Sequence, residues 1–363
     1  MTLLHVIESD GGTIEFLNYF VLHGKFDKQI LICGQRAHVE FNRYITEKYN
    51  GEIPSNIILY KWNKAQREIG IKDLGAFFEL REIVNKSSFD FCILHSSKAG
   101  FLGRLLFYFK KNKNIIYVPN GLSFLRQDVS SFKIFLYEKL ELFASMLAGN
   151  IICTSKSEMT ALMRLGINCS YINNGTKVPS ILERKNLSLN PIKIVSVGRL
   201  AYQKNPSLFN EIASQYVNNP NVQFVWIGDG ELRSELTSTN IVLTGRLPQS
   251  DVLHLLEGCH IYLSTAIWEG LPFAVLEGMT KGLPLLLFHC VGNVDLVIEN
   301  KNGFVFSTAS EAIGFINKLL KENELRCSMG QESYNLVKKD FDAETMVNKY
   351  HEYIRESPFF KIK

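Results

Sequence analysis

Glu269 and Glu277 flank the segment Gly270-Leu271-Pro272-Phe273, which follows the strand-like run His260-Ile261-Tyr262-Leu263-Ser264. Pro272 suits the first position of a helix, because its missing N–H is one of the donors a helix start leaves unpaired anyway. Glu269 then sits in the turn and Glu277 inside the helix. The two carboxylates do not share a helix face, so they suit different parts of one ligand. Gly270 permits close backbone approach, and the amides after it are donors for hydroxyl or phosphate oxygens. Taken alone, the stretch reads equally as an ordinary strand–turn–helix with two solvated glutamates.

Gly198-Arg199-Leu200 ends another strand-like run, and Lys204-Asn205-Pro206 opens the next helix. Two cations flanking such a turn suit a diphosphate, each contact worth ~4 kcal/mol at an effective dielectric of about 20 before desolvation is subtracted; the bland counterpart is a surface pair. Arg246 and Leu247, in Gly245-Arg246-Leu247-Pro248, close a third strand, where main-chain groups read a nucleobase edge or simply turn the chain. Near the N-terminus, Asp10-Gly11-Gly12-Thr13 follows the first strand and opens a helix. Gly12 there brings backbone to an anion at a helix N-terminus, or belongs to a plain tight turn. His95-Ser96-Ser97-Lys98 places His95 and Lys98 at a strand end, facing a hydroxylated ligand; otherwise Ser96 is a helix cap and His95 bonds backbone. Asn120-Gly121 is a turn signal at one more strand end.

These motifs need a scaffold of repeated strand, turn and helix. Strands are predicted at Leu3–Ile7, Gln29–Cys33, Asn56–Tyr60, Phe91–His95, Asn114–Val118, Ile151–Thr154 and Ser170–Ile172, with amphipathic segments such as Phe77–Val84 and Leu102–Phe109 between them. The alternation restarts at Lys193–Gly198 and continues through Val222–Ile227, Asn240–Leu243, His260–Ser264, Pro284–Phe288 and Gly303–Phe306. It ends in helices at Glu311–Leu320, Glu322–Lys339 and Ala343–Ile354. Apolar runs alternating with helices imply parallel βαβ units. The expected fold is α/β, with two doubly wound domains: residues 1–178, a polar linker at 179–190, residues 191–340, and a terminal helix at 341–363. Such folds receive ligands at the carboxyl ends of their strands, where the motifs fall.

The chain has 363 residues, 46% apolar and 21% charged, with a net charge of +4, too mild to argue for nucleic acid. Its seven cysteines are scattered singly and form no Cys-x-x-Cys, which points to a reducing, cytoplasmic compartment. No signal peptide is expected, and no apolar run reaches the ~18 residues of a membrane span. No His, Cys, Asp or Glu group has metal-ligand spacing, so no metal is expected. Neither Gly11-Gly12 nor Gly228-Asp229-Gly230 completes the three-glycine dinucleotide fingerprint, which disfavours a nicotinamide enzyme. Leu105–Lys113 and Ser131–Leu147 combine aromatic and apolar residues with lysines; such helices bind anionic membrane surfaces or serve as core stripes with a solvated end.

Gly198-Arg199-Leu200…Lys204, Ile227-Gly228-Asp229-Gly230-Glu231-Leu232, Leu243-Thr244-Gly245-Arg246 and Glu269-Gly270-Leu271-Pro272…Glu277-Gly278 together resemble the retaining family 4 glycosyltransferases. The first half is similar more loosely, through Gly11-Gly12, His95–Gly100, Asn120–Phe124 and Ile172–Gly175. The resemblance implies the GT-B fold, two Rossmann-like domains facing a cleft, with the last helix crossing back onto the first. It implies a hexose-type nucleotide-sugar donor, UDP favoured over GDP, with no cofactor. The acceptor it implies is a saccharide, carried on a lipid in surface polysaccharide or lipopolysaccharide assembly, with contact at the inner face of the cell membrane. Arg199 and Lys204 would hold the diphosphate, Glu277 the ribose, and Glu269 with the Gly270-to-Phe273 backbone the sugar. Arg246 and Leu247 would lie by the base and Gly12 by the diphosphate; His95, Lys98 and Asn120 would lie on the acceptor side. Many relatives carry histidine where this chain has Asn120. Asparagine cannot carry a proton, so a catalytically weak, donor-binding homologue is the alternative.

Overall fold

The computed structural model describes residues 1–66, 70–112, 114–182 and 191–356. Most of the predicted linker, 183–190, and Lys113 of the predicted basic helix end lie outside these. The chain forms two compact units. One comprises residues 1–125, 129–174 and 343–363; the other comprises 126–128 and 175–342.

In the first unit seven parallel strands stand in the order β3-β2-β1-β4-β5-β6-β7. They are β1 (Thr2–Ile7), β2 (Lys28–Gly34), β3 (Ile57–Trp62), β4 (Phe91–His95), β5 (Ile115–Val118), β6 (Asn150–Cys153) and β7 (Ser170–Tyr171). Six helices connect them or follow: α1 (Gly12–His23), α2 (Gln35–Tyr49), α3 (Lys72–Asn85), α4 (Ser96–Phe109), α5 (Ser131–Ser145) and α6 (Lys156–Met163). Strand side chains alternate between faces. Ile7, Leu31 and Cys33 pack under α1 and α2, whereas Leu4, Val6, Ile32 and Leu94 pack under α3 to α6. Burial on both faces explains why these strands read as nearly unbroken apolar runs.

The second unit repeats the plan with six parallel strands in the order β10-β9-β8-β11-β12-β13. These are β8 (Ile192–Val197), β9 (Val222–Ile227), β10 (Ile241–Leu243), β11 (Ile261–Ser264), β12 (Leu285–Phe288) and β13 (Gly303–Phe306). Its helices are α7 (Pro206–Ser214), α8 (Gln249–Glu257), α9 (Phe273–Thr280), α10 (Ala309–Lys321) and α11 (Asn323–Asp340). Trp226 lies edge-on to Phe209, ring centroids 5.0 Å apart, which locks α7 onto β9.

The last helix, α12 (Ala343–Glu356), belongs to the first unit, where it packs on α1. Tyr350 presents its ring edge-on to Phe16 and Phe20 at 5.5 and 5.3 Å, and His351 stacks on Phe26 at 4.1 Å. The Tyr350 ring is fully buried, yet its hydroxyl has no hydrogen-bond partner among the described residues. Tyr350→Ala is therefore expected to lower unfolding free energy by about 3–5 kcal/mol. Tyr350→Phe, which removes only an unpaired polar atom, is expected to be neutral or stabilising in the same denaturant titration.

Candidate active site

In each sheet the chain runs outward from its first strand and then restarts on that strand's other side. The connections leaving β1 and β4, and those leaving β8 and β11, therefore diverge. Doubly wound sheets receive ligands in the crevice this leaves. In the second unit Arg199 and Lys204 leave β8, and Glu269 leaves β11. The switch point thus gathers the residues singled out for a diphosphate and a sugar.

There Lys204 Nζ donates to Glu269 Oε1 at 2.6 Å, and both groups are largely shielded from solvent. Backbone and side chains tie the two connections together around this pair. Ile267 N–H donates to Gln203 O at 2.9 Å, and Thr265 Oγ1 to Lys204 O at 2.8 Å. Gln203 Nε2 donates to Trp268 O at 2.8 Å and to Glu269 Oε2 at 3.4 Å. The lysine is fixed where its charge stays next to the sheet edge. Arg199, by contrast, is exposed and forms no ion pair among the described residues, which leaves its guanidinium open to an anion.

Two glycines make this packing possible. A Cβ on Gly292, whose φ is 84°, would come within 2.5 Å of Gly270 O, so the loop after β12 lies directly against the Glu269–Gly270 turn. A Cβ on Gly228, with φ 139°, would meet Gly198 O at 2.1 Å where the turns after β8 and β9 touch. Gly228 N–H also donates to Gly245 O at 3.0 Å, which sets the loop bearing Arg246 and Leu247 beside that turn.

Pro272 is the N-cap of α9 rather than its first helical residue: its φ of −74° and ψ of 117° are extended, and its carbonyl accepts from Val275 N–H and Leu276 N–H. Lacking an N–H, Pro272 offers no donor, so the amides of this segment are those of Gly270, Leu271 and Phe273. The segment from Glu269 to Phe273 is buried. Glu277, inside α9, accepts at Oε1 from Gln249 Nε2 at 2.8 Å, which directs it toward the start of α8 and away from Glu269. Beneath α9 the Tyr262 ring fills the space a Cβ on Gly278 would need. Burial first, then the Glu277 and Glu269 carboxylates, pushes the Tyr262 hydroxyl well above the usual range.

The first unit places its motifs at the equivalent crevice. Gly11, at φ 64°, is the N-cap of α1, and Gly12 is the first helical residue. Ser96 (φ 62°) and Asn120 (φ 53°) follow the neighbouring strands β4 and β5, both in the left-handed region. Non-glycine residues held there carry strain of a kind that clusters at ligand sites. Ser96 opens α4 and does not cap it; His95 is the N-cap position and makes no side-chain cap bond. The His95 ring does not face a strand-end ligand. It is fully buried, stacked on His5 with the ring nitrogens 3.0 Å apart, and meets Phe16 edge-on. Lys98 is also buried, paired with Asp73 at 2.5 Å. Asn120 remains partly exposed, but its Oδ1 is buried and lacks a partner among the described residues. Glu158, wholly buried, fixes that edge by accepting from Gly121 N–H and Thr154 N–H, both at 2.7 Å.

Sequence reading missed Gln203, Gln249, Gly292, Glu158 and His5, because each acts through a partner distant in the chain. The one local signal was the position of Gln203 beside Lys204. Among the described residues no three His, Cys, Asp or Glu side chains are grouped to hold a metal ion. Among the described residues no helix is long and apolar enough to cross a membrane.

Known proteins carry the same organisation. Residues 179–336 match the family described as glycosyl transferases group 1. The chain is 29% identical over 305 residues to the UDP-Gal:alpha-D-GlcNAc-diphosphoundecaprenol alpha-1,3-galactosyltransferase of Escherichia coli, covering 77% of this chain and 78% of that protein. It is likewise 29% identical over 266 residues to the O-antigen biosynthesis glycosyltransferase WbnH of Escherichia coli, covering 70% and 75%. Among solved structures, Anabaena HepE in complex with UDP-glucose superposes with a TM-score of 0.77 at 17% identity over 98% of this chain and 99% of that one. Sucrose-phosphate synthase from Thermosynechococcus elongatus does so with 0.78 at 14% identity over 98% of each. At these identities the structures establish the fold, which is GT-B.

The buried histidine pair has a consequence for stability. Burial lowers the His5 pKa to about 3, and burial together with His5 puts His95 well below its usual value. The unfolded chain takes up these protons below pH 6.5, whereas native His5 resists until about pH 3 and native His95 also stays neutral well below its usual value. Stability from the pair is therefore present above pH 6.5 and lost as pH falls toward 3, by up to about 1.4 kcal/mol per pH unit per histidine. The difference between denaturant midpoints at pH 7 and pH 5 is expected to shrink, but not vanish, when His5 is replaced by Asn, because burial still lowers the His95 pKa.

Proposed function

From the match of residues 179–336 to the glycosyl transferases group 1, we propose that this chain is a retaining, metal-independent enzyme of surface-polysaccharide assembly. It moves a hexose-type sugar from a nucleotide sugar, UDP ahead of GDP, to a saccharide carried on a lipid. The observation that carries this reading is the Lys204–Glu269 pair at the β8/β11 switch point, with Arg199 open beside it. The UDP-Gal donor and diphosphoundecaprenol acceptor in the name of the Escherichia coli relative support the donor and acceptor classes.

In this reading Arg199 and Lys204 neutralise the departing diphosphate, so charge that develops as the sugar–oxygen bond breaks meets preorganised cations. Glu269, anchored by Lys204 and Gln203, holds sugar hydroxyls with the neighbouring backbone, and Glu277 accepts from the ribose. The acceptor oxygen bonds to the anomeric carbon on the face the diphosphate leaves. Its proton passes to the departing phosphate oxygen, which requires positioning rather than a protein base. Asn120, which cannot carry a proton, is compatible with that route on the acceptor side. The enzyme then works at the cytoplasmic face of the cell membrane.

A thermal-shift panel of UDP-, GDP- and ADP-sugars, without added metal, is expected to show stabilisation by a UDP-sugar, since ligand at a hundred times its Kd adds about 2.7 kcal/mol. Arg199→Ala and Glu277→Ala are each expected to weaken donor binding about tenfold or more, the loss of a charge-assisted hydrogen bond. If Glu277→Ala leaves both donor binding and turnover intact, the assignment fails. Donor binding by a chain that turns over no acceptor would instead mark the weak homologue that Asn120 invites.

A further inference from the structure

The helical layer α3–α5 of the first unit exposes apolar side chains that packing within the unit does not use. Helix α5 has two apolar faces. One carries Ile134, Tyr137 and Leu142 onto the core. The other carries Phe132, Phe135, Phe143 and, at its C-cap, Met146, which are 73%, 53%, 47% and 69% exposed. At 3.6 residues per turn these four fall within an arc of about 80° along the helix. Helix α4 packs against both α5 and α3; it ends in exposed Tyr108 and Phe109, and α3 adds Leu74 and Phe78. Every exposed phenylalanine among the described residues lies on this layer. On the opposite face of the sheet, α1 and α2 expose Val39 alone among the large apolar side chains of the described residues.

The charges on this layer have one sign where the aromatics are densest. The exposed charged residues of α5 and of the end of α4 are Lys133, Lys139, Lys110 and Lys111. The carboxylates of α5, Glu138 and Glu141, are half-buried, and Glu141 pairs at 2.8 Å with the buried Arg104. On α3 the exposed carboxylate Glu82 is paired with Lys86 at 2.7 Å. Lysine is depleted from the cores of protein–protein interfaces, whereas helices lying on membranes combine aromatic side chains with lysines.

We propose that the α3–α5 layer docks on an anionic lipid bilayer, with the α5 stripe at the boundary of headgroups and acyl chains and the flanking lysines on lipid phosphates. This gives the lipid-carried acceptor of the proposed function a route to the site. Helix α5 packs against the turn Ser123–Leu125, and Ser123 Oγ lies 2.6 Å from Ser97 Oγ in the first turn of α4. Docking therefore sets the strand-end edge of Ser96 and Asn120 beside the bilayer. The inference deepens that reading, but its evidence and readout are separate, because lipid binding needs no donor.

The test is flotation of the full chain with vesicles of phosphatidylcholine alone and of phosphatidylcholine with phosphatidylglycerol. The chain is expected to float with the anionic vesicles only, and less so as salt is raised. The triple variant Phe132→Ser/Phe135→Ser/Phe143→Ser and the charge reversal Lys133→Glu/Lys139→Glu are each expected to weaken partition about tenfold or more, with thermal midpoint and donor binding unchanged. Phe135→Trp, which preserves the apolar surface, is expected to be quenched by brominated phosphatidylglycerol. Absent flotation, flotation indifferent to both variants, or an unquenched Trp would overturn the proposal. So would a wild-type dimer in sedimentation that the serine variant converts to monomer, since the layer would then join two copies of the chain. Vesicle binding without binding of any nucleotide sugar would leave the docking in place and sink the proposed function.

Discussion

The ion pair between Lys204 and Glu269 joins the two connections that diverge from β8 and β11, and the geometry of the candidate site depends on it. Removing either partner leaves a largely shielded charge alone, a far larger perturbation than losing a surface pair. The surrounding bonds from Gln203 and Thr265 do not merely decorate the pair. They satisfy the carbonyls that a sharp exit from a parallel strand leaves exposed, and so hold two loops that would otherwise sample many conformations. In the proposed function, a diphosphate arriving there would meet a lysine already oriented and an arginine still free to close on it. Part of the ordering cost of binding has then been met in folding.

The same doubly wound logic builds both units, yet they use it differently. In the second unit the switch point is charged and its cations border the surface. In the first, the corresponding residues turn inward: His95 onto His5, Lys98 onto Asp73. What the first unit presents at its strand ends is mostly backbone, strained at Ser96 and Asn120 and braced from below by Glu158. Charge on one unit and shaped backbone on the other suit a donor that carries a diphosphate and an acceptor recognised by its hydroxyls.

Much of the fold was legible in the sequence for a plain reason. Parallel strands buried on both faces are short apolar runs punctuated by glycine and polar turns, and both β9 (Val222–Ile227) and β13 (Gly303–Phe306) stand where those runs begin and end. Ends shifted elsewhere by a residue or two, as at β3, where the strand continues through Lys61 to the buried Trp62. Local chemistry was legible too: Arg199, Lys204, Glu269 and Glu277 stand out as charges at strand-to-helix turns. Pairings between distant segments were not. Nothing around Gln249 announces Glu277, and nothing near Gly292 announces the Gly270 carbonyl it touches. The inward turn of His95 depended on His5, a residue of β1 that reads as one more strand position. Likewise an aromatic, lysine-bearing helix is visible in Ser131–Leu147, but which of its two apolar faces is buried becomes known only in the folded unit.

In the proposed function the switch point between β8 and β11 holds a nucleotide sugar by its diphosphate. A crystal structure of the full chain with a UDP-sugar tests it most directly. Diphosphate oxygens are expected within hydrogen-bond distance of Arg199 and Lys204, the ribose on Glu277 and the sugar on Glu269. A nucleotide bound elsewhere, or bound with its diphosphate turned away from both cations, would contradict it.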